Sequence, residues 1–319
     1  MKRIDGNILE GGGQILRMSV AFSSLLNIPI KVDQIRAGRS KPGLKAQHMT
    51  GIKLIQKISN AQVQNCDLNS TTIEFIPTII PKDNEVLEFA ADIGTAGAIT
   101  LLCQISLPCL LFASTESEIS LYLKGGTNVG MAPQIEYYNY VFKPNLHRFG
   151  VSFIVDECDI RKGYFPKGGG SIKVRIPPRR QRHLNPINLE DPGDISKITI
   201  FSSVSGVLPI KMADEMVKGA KNVLMKEMRN LDEITFVVDV KKEQNSFGNG
   251  SSIVIVAETT TGCILGGSGL GSPKEQAFSV GESAAKELLH SVLAKGELMI
   301  IIIPYIFLCE TLGPSPDLY

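Results

Sequence analysis

The chain has 319 residues, of which 43% are hydrophobic and 20% are charged, so it is long enough for one large domain or two ordinary domains. Its 33 lysines and arginines nearly balance 32 acidic residues. The resulting formal net charge of +1 excludes a polycation that binds acidic partners over its whole surface, so an anion site requires local clustering of positive charge.

The cysteines and the N-terminal sequence predict a cytoplasmic protein. None of the six cysteines has CxxC spacing, which argues against a disulfide framework and against a zinc site. The N-terminal segment becomes polar and glycine-rich too early for a signal peptide. The apolar run AITLLCQISLPCLLFA is too short to span a bilayer, so we expect no membrane association.

The first predicted unit alternates strands and helices. A helix follows the glycines of EGGGQILRMSVAFSSLLN, because its apolar residues recur at helical spacing. IPIKVDQI is typical of a strand, and KPGLKAQHMTGIKLIQKIS predicts a helix that begins near Pro42. AQVQNC and TTIEFIP predict two paired strands.

The second predicted unit repeats this order. A glycine-rich start and a helix in DIGTAGAITLLCQISLPCLLFA precede the strand EISLYLKGGT and the helix APQIEYYNYVFKPNLHRFG. The strands VSFIVDEC and GGGSIKVRI complete it. Two βαβαββ units of about 90 residues each predict an internal repeat, with helices on one side of mixed sheets.

A proline-rich, charged segment, PPRRQRHLNPINLEDPGD, then indicates a domain junction. We therefore predict an α/β (α+β) fold in which residues 1–182 and 272–319 form a large repeat domain. Residues 183–271 form a small inserted α/β domain. The helix EQAFSVGESAAKELLHSVLAK is expected to begin a third repeat.

Two glycine-rich helix starts and one basic stretch are candidates for phosphate binding. The unpaired N–H groups after EGGGQ form an anion site at a helix N-terminus, and Glu10 beside them can hold a metal or accept a proton. By itself, however, such a run is more often a plain glycine turn. Arg36, Arg39 and Lys41 can bind phosphate oxygens, or they can form a solvated basic loop.

Two single residues and one further loop each have two interpretations. His48 can donate to a phosphate, although a lone histidine on a helix is more often structural. Gln104 is the polar residue of an apolar helix, which alone favours a satisfied core amide. In KGYFPKGGGS, Lys162 and Lys167 accompany three glycines, as expected for a loop that approaches a ligand with its backbone or for a simple hairpin. Walker A, HExxH and GxSxG patterns do not occur.

These stretches, taken in order, resemble the RNA 3′-terminal phosphate cyclase family. The blocks that carry the resemblance are EGGGQILR, IRAGRSKPGLKAQHMT, DIGTAGAITLLCQISLPCLLFA, GGTNVGMAPQIEYY, RKGYFPKGGGSIKV and GGSGLGSPKEQAFSVGESAAKEL. The resemblance covers about residues 3–295. It implies three βαβαββ repeats, with the small domain inserted in the third.

The resemblance also implies a reaction. ATP and a divalent metal (Mg or Mn) adenylate a histidine of the enzyme, and AMP passes to the 3′-phosphate of an RNA. The neighbouring 2′-hydroxyl then displaces AMP and forms a 2′,3′-cyclic phosphate. The family's residues map onto Glu10 for the metal, onto Gln104 and Pro133 for ATP, and onto Arg17, Arg36, Arg39, Gln47 and His48 for phosphates and RNA.

The C-terminal tail departs from the family pattern after Glu297, and no histidine follows His290. The family's nucleophilic histidine therefore has no counterpart here. Three alternatives remain open: a tail altered by a reading-frame error or gene damage, a shortened relative that does not adenylate itself, or a different nucleophile. The leading hypothesis is an RNA 3′-phosphate cyclase. The others are a non-catalytic RNA-binding relative in RNA processing, and an enolpyruvyl-transferase-like enzyme, which the specific blocks disfavour.

Overall fold

Three four-stranded sheets and seven α-helices make up most of this computed structural model. It describes residues 1–8, 11–78, 87–113, 115–178, 184–185, 191–228 and 231–293. The C-terminal tail after Glu297, Cys309 and Glu10 lie outside the described residues. The mixture of sheets and helices confirms the predicted α/β (α+β) class.

The first sheet belongs to the first predicted unit. Its strand order is β1-β2-β4-β3, in which β1 and β2 are parallel and the other pairs are antiparallel. Two amphipathic helices follow the first and second strands and place their buried residues against the sheet and against each other. The elements are β1 (Lys2–Asp5), α1 (Gly13–Leu26), β2 (Ile30–Asp33), α2 (Ala46–Ser59), β3 (Gln62–Gln64) and β4 (Ile73–Ile76).

The second sheet repeats this topology. Its order, β5-β6-β9-β7, again has the first two strands parallel and the last two antiparallel. Both units therefore follow the predicted βαβαββ order. The elements are β5 (Leu87–Asp92), α3 (Ile99–Leu111), β6 (Ile119–Gly125), α4 (Ile135–Tyr137), α5 (Lys143–Arg148), β7 (Ile154–Val155), β8 (Lys162–Gly163) and β9 (Gly170–Ile176).

Two sequence-based predictions of helices are wrong in detail. The second helix begins at Ala46 and not near Pro42, because Gly43 adopts a left-handed φ of +72° and Lys45 is extended. The helix predicted over APQIEYYNYVFKPNLHRFG is divided into α4, a π-helical turn over Tyr138–Phe142, and α5. Pro144 follows this turn and has no N–H to donate to a regular helix ladder.

The third sheet has a different order, β11-β10-β13-β14, and two long helices cover it. These helices approach each other closely, since a Cβ at Gly219 would overlap the carbonyl oxygen of Phe278 and one at Gly281 would overlap that of Met216. The elements are β10 (Ile195–Ser205), α6 (Lys211–Glu227), β11 (Thr235–Glu243), β12 (Ser246–Phe247), β13 (Gly250–Thr259), β14 (Ile264–Leu270) and α7 (Ala277–Leu293).

The last helix packs against α6 and β14 and shares a hydrophobic core with them. The division into a large domain (1–182 and 272–319) and a small domain (183–271) stays a prediction. A separate core lies between the first two sheets and contains α1, α2 and α3. Within the described ranges, no helix is both long enough and apolar enough to cross a bilayer.

Candidate functional site: a basic pocket at the start of helix α1

The first turn of α1 is the point at which several predicted site residues meet. Its N-cap, Gly12, has no side chain to bond the first amides, and the first turn contains no acidic residue. A Cβ at Gly13 would overlap Nε2 of His48 and would lie 2.9 Å from Nη1 of Arg17. The backbone amides of this turn, an imidazole and a guanidinium therefore share one small space, as an anion site requires.

The imidazole of His48 is neutral and oriented. Its Nδ1 accepts a hydrogen bond of 3.2 Å from the backbone N–H of Lys45, so the ring proton belongs on Nε2. Burial, reinforced by the positive charges of Arg17, Arg36 and Lys45, lowers the pKa of His48 to about 4. At neutral pH, Nε2–H is consequently a fixed hydrogen-bond donor beside Gly13.

A hydrogen bond between side chains connects α1 to α3. Nε of Arg17 donates to Oε1 of Gln104 over 2.7 Å, and Gln104 is only 8% exposed. The bond fixes the direction of the guanidinium, which is the geometry that phosphate recognition needs. It also means that Gln104 is a satisfied amide as well as a candidate ATP contact.

The other candidate ATP contact, Pro133, lies beside the same helix. Its carbonyl oxygen accepts a hydrogen bond of 2.8 Å from the Thr100 hydroxyl. Thr100 precedes Gln104 by four residues, which is one turn of α3, so both lie on the same face of that helix. The structure thus brings Gln104 and Pro133 to one side of α3.

Gln47 holds the second glycine-rich loop through its side chain. Its Oε1 accepts a hydrogen bond of 2.7 Å from the backbone N–H of Ala98, just before α3 begins. A Cβ at Gly97 would lie 3.1 Å from Cβ of Gln47, so the loop passes close to α2. Gln47 therefore positions the loop over residues 92–98 next to His48.

The basic stretch is a folded loop, and Arg36 closes it. Nη1 of Arg36 donates to the carbonyl oxygens of Lys41 (2.9 Å) and Gly43 (3.0 Å). Arginine has five N–H donors, so three remain after these two bonds. Partial burial and the nearby Arg39 lower the pKa of Arg36. Lys41 is exposed and Arg39 is half-buried, and their roles as phosphate contacts stay predictions.

The implied metal has one candidate ligand, Glu10, which lies outside the described residues. Among the residues with described positions, no group of three or more His, Cys, Asp or Glu side chains could hold a metal ion. Mg²⁺ commonly takes one or two carboxylates and completes its shell with water and substrate phosphates. A site of that kind is compatible with a single protein carboxylate.

Sequence reasoning missed a buried polar network in the second unit. Lys162, 6% exposed, bonds to the carboxylate of Glu136, and its Nζ lies 3.9 Å from Oε1 of Glu243. Nδ2 of Asn128 donates to Oε2 of Glu136 over 2.7 Å. The signal in the sequence was a glutamate inside the apolar helix IEYYNYVF, since a buried carboxylate requires a cation.

Comparison with known proteins identifies the family of this chain. The family model described as RNA 3′-terminal phosphate cyclase matches residues 8–309 and so continues past Glu297. A probable RNA 3′-terminal phosphate cyclase of Dictyostelium discoideum is 39% identical over 293 residues. This alignment covers 90% of the chain and 65% of that relative.

Two further relatives lead to the same assignment. RNA 3′-terminal phosphate cyclases of Drosophila melanogaster and Pyrococcus furiosus are each 37% identical to this chain. Their alignments cover 90% and 92% of the chain and 77% and 80% of the relatives. The chain therefore belongs to the RNA 3′-terminal phosphate cyclase family.

Proposed function

We propose that the chain converts a 3′-terminal phosphate of RNA into a 2′,3′-cyclic phosphodiester at the expense of ATP. The observation that carries the proposal is the convergence of Arg17 and of Nε2 of His48 on the first turn of α1. A guanidinium, a fixed neutral donor and free helix amides together suit a phosphate monoester. The family membership supports the choice of an RNA 3′ end.

The proposed ring closure forms one bond to phosphorus and breaks another. The 2′-hydroxyl oxygen bonds to the 3′-phosphorus, the bond from that phosphorus to AMP breaks, and the hydroxyl proton is released. ATP supplies the AMP leaving group and releases pyrophosphate. Arg17 and the amides of α1, which meet beside Gly13, offset negative charge on the phosphoryl oxygens as the new bond forms. We propose that Arg39 of the basic loop assists them. His48 donates a hydrogen bond rather than a proton, because its pKa is about 4.

The proposal gives no residue of the described chain the role of the adenylated nucleophile. His48 is a poor candidate, since its Nδ1 accepts the Lys45 amide and its Nε2 carries the proton. Neither nitrogen offers a free lone pair for attack on phosphorus. Glu10 is the proposed ligand of the divalent metal, Mg or Mn, and Gln104 and Pro133 are the proposed contacts to ATP.

The phosphate role is tested by Arg39→Ala. We expect the affinity for a 3′-phosphorylated RNA to fall roughly 10- to 100-fold, the range for loss of a charge-assisted hydrogen bond, while the affinity for the same RNA ending in 3′-OH stays unchanged. Fluorescence anisotropy with labelled RNA measures both affinities. Arg3→Ala, at an exposed position on β1, is the control. Equal loss on both RNA ends would contradict the assignment.

The ATP role is tested by Gln104→Ala. We expect weaker ATP binding in calorimetry and slower formation of cyclic ends from 3′-phosphorylated RNA. The conversion is followed as resistance of a radiolabelled 3′-phosphate to phosphatase. Gln62→Ala, at an exposed position on β3, is the matched control. Unchanged nucleotide affinity in Gln104→Ala would remove this residue from the ATP site and leave it a role in orienting Arg17.

A further inference from the structure

An open cleft of about 380 Å³ lies on the other side of the loop that Gln47 holds. Its lining combines cations, an aromatic ring and bare backbone. The side chains that matter are Lys124, Arg161, Lys167, Phe247, Asp92 and Thr95, and glycines lie between them. The sequence singled out only Lys167 and its neighbouring glycines in this cleft, as a loop that approaches a ligand or as a simple hairpin. None of these residues was assigned to phosphate, ATP or metal.

The cleft forms where the second sheet meets the segment after β11. Lys124 is the penultimate residue of β6, and Arg161 pairs with Ser171 of β9 through backbone hydrogen bonds of 2.9 Å. Phe247 arrives on β12, which pairs in parallel with β8 at Gly163. The ring and the cations thus come from segments at least 80 residues apart in sequence, and only the folded chain assembles them.

Phe247 is a partly exposed aromatic platform with positive charge around it. It is 40% exposed, and a Cβ at Gly169 would overlap its ring, so the ring rests on glycine backbone. The guanidinium carbon of Arg161 lies 5.2 Å from the ring centroid, and Nζ of Lys167 lies 5.8 Å from it. Both distances are within the range of cation–π attraction.

The cations of the cleft are available to a ligand. Over the ranges that the structure describes, no carboxylate lies within ion-pair distance of Lys124, Arg161 or Lys167. The one acid of the lining, Asp92, has an oxygen that accepts the backbone N–H of Gly94 over 2.8 Å. Three unpaired cations facing one carboxylate make the cleft attractive to a polyanion.

The loop over residues 92–98 lies between the cleft and the phosphate pocket. Asp92 and Thr95 line the cleft, while Ala98 of the same loop donates its N–H to Gln47, which neighbours His48 on α2. A chain whose terminal phosphate lies at α1 needs to cross only this loop to reach Phe247. Aromatic rings that stack bases, beside cations that follow the backbone, are the usual elements of single-strand binding.

We propose that this cleft binds the single-stranded RNA that precedes the terminal phosphate, with a base stacked on Phe247 and backbone phosphates bound by Lys124, Arg161 and Lys167. The inference rests on the proposed function for its ligand, but it makes a separate claim. The cleft recognises the RNA chain whatever its end. The pocket at α1 recognises the terminal phosphate alone.

The test compares labelled RNA decamers that end in 3′-phosphate or in 3′-OH, by fluorescence anisotropy. We expect Phe247→Ala to weaken binding of both decamers by the same factor, roughly 5- to 100-fold, as expected for one lost base stack. Phe247→Tyr keeps the ring and should retain wild-type binding, which separates stacking from misfolding.

The charged residues give an independent readout. Lys124→Gln and Lys167→Gln should each reduce the slope of log K against log salt concentration by about 0.7, the value for one phosphate contact to a single strand. Lys57→Gln, at an exposed position on α2, should leave the slope unchanged.

The two proposals fail in different ways. If Phe247→Ala binds both decamers as the wild type does, or if it weakens only the 3′-phosphorylated one, the cleft is not the path of the RNA. If the wild type binds both ends equally and forms no cyclic end, the proposed function falls, while a loss in Phe247→Ala would still support the cleft. If the wild type binds neither decamer, both proposals are overturned.

Discussion

The first two units share a topology and differ in what their glycine-rich turns and first helices do. In the first unit, α1 has five buried residues among 14 and presents Arg17 and its uncapped first turn to the pocket. In the second, 12 of the 13 residues of α3 are buried, because α1 and α2 pack against it. The same βαβαββ frame thus supplies a ligand-facing helix once and a central core helix once.

The ion pairs of the two units also differ in how deeply they are buried. The first unit has a half-exposed ion pair, Lys31–Glu74, with Nζ 2.9 Å from Oε1 and the side chains 28% and 24% exposed. The second has the buried pair Lys162–Glu136, with side chains 7% and 10% exposed. Solvent screens the attraction within the first pair. In the second pair, the attraction between the two charges has to offset the free energy lost when both are removed from water. The two pairs should therefore respond very differently to truncation.

The largest expected effect is that of Lys162→Ala. Burial by itself would raise the pKa of Glu136, and the Lys162 ammonium with the Asn128 amide brings it below its usual value. Without Lys162 the Glu136 carboxylate is buried with no cation beside it, which should lower the free energy of unfolding by about 3–5 kcal/mol. Unfolding in urea measures this loss. Glu136 would then have a raised pKa, so the loss should be greater at pH 8 than at pH 5.

A double variant checks the origin of that loss. Glu136→Gln combined with Lys162→Met removes both charges, and it should be more stable than Lys162→Ala at pH 8. A double variant as unstable as the single one would show that packing of the lysine stem, and not the unpaired carboxylate, determines the stability of this region.

The next effect concerns His48 in the first unit. Its folded-state pKa of about 4 lies below the ordinary value of 6.5. The contribution of the neutral imidazole to the free energy of unfolding is therefore fully present above pH 6.5. Stability is lost as pH falls towards 4, since the unfolded chain binds a proton that the folded chain does not. The full loss is on the order of 3 kcal/mol.

His48→Asn should remove this part of the pH dependence, while its oxygen can still accept the Lys45 amide. Urea unfolding between pH 7 and pH 4 measures the difference, and His147→Asn, at an exposed position on α5, is the control. An unchanged pH profile in His48→Asn would mean that the imidazole is solvated and not held at Gly13.

The smallest effect is that of Lys31→Ala. The lysine lies on β2 opposite Glu74 of β4, and both partners keep contact with water. We expect a loss of at most about 1 kcal/mol, which moderate salt reduces further. Thermal unfolding at low and high salt measures it. A loss as large as that of Lys162→Ala would contradict the contrast between the two units.

The sequence by itself determined the repeat and the residues of the pocket. Hydrophobic periodicity depends only on local spacing, so the βαβαββ order was predictable, although β1, β5 and the exact helix ends were not assigned. The Arg36 guanidinium bonds carbonyl groups of the basic loop and Gly43 has a left-handed φ, so α2 begins only at Ala46. Hydrophobic periodicity cannot predict either feature. The role of Glu10 stays a prediction, because that residue lies outside the described part of the chain.

Only the tertiary structure decided which residues touch. Arg17 and Gln104 are 87 positions apart, and Lys162 and Glu136 are 26 apart, so no local pattern connects them. The neutral state of His48 likewise depends on burial and on Arg17 of α1, as well as on the nearby cations of the basic stretch. Local spacing fixes secondary structure, whereas contacts across the fold fix protonation, orientation and the cleft at Phe247, because those depend on how separate elements pack.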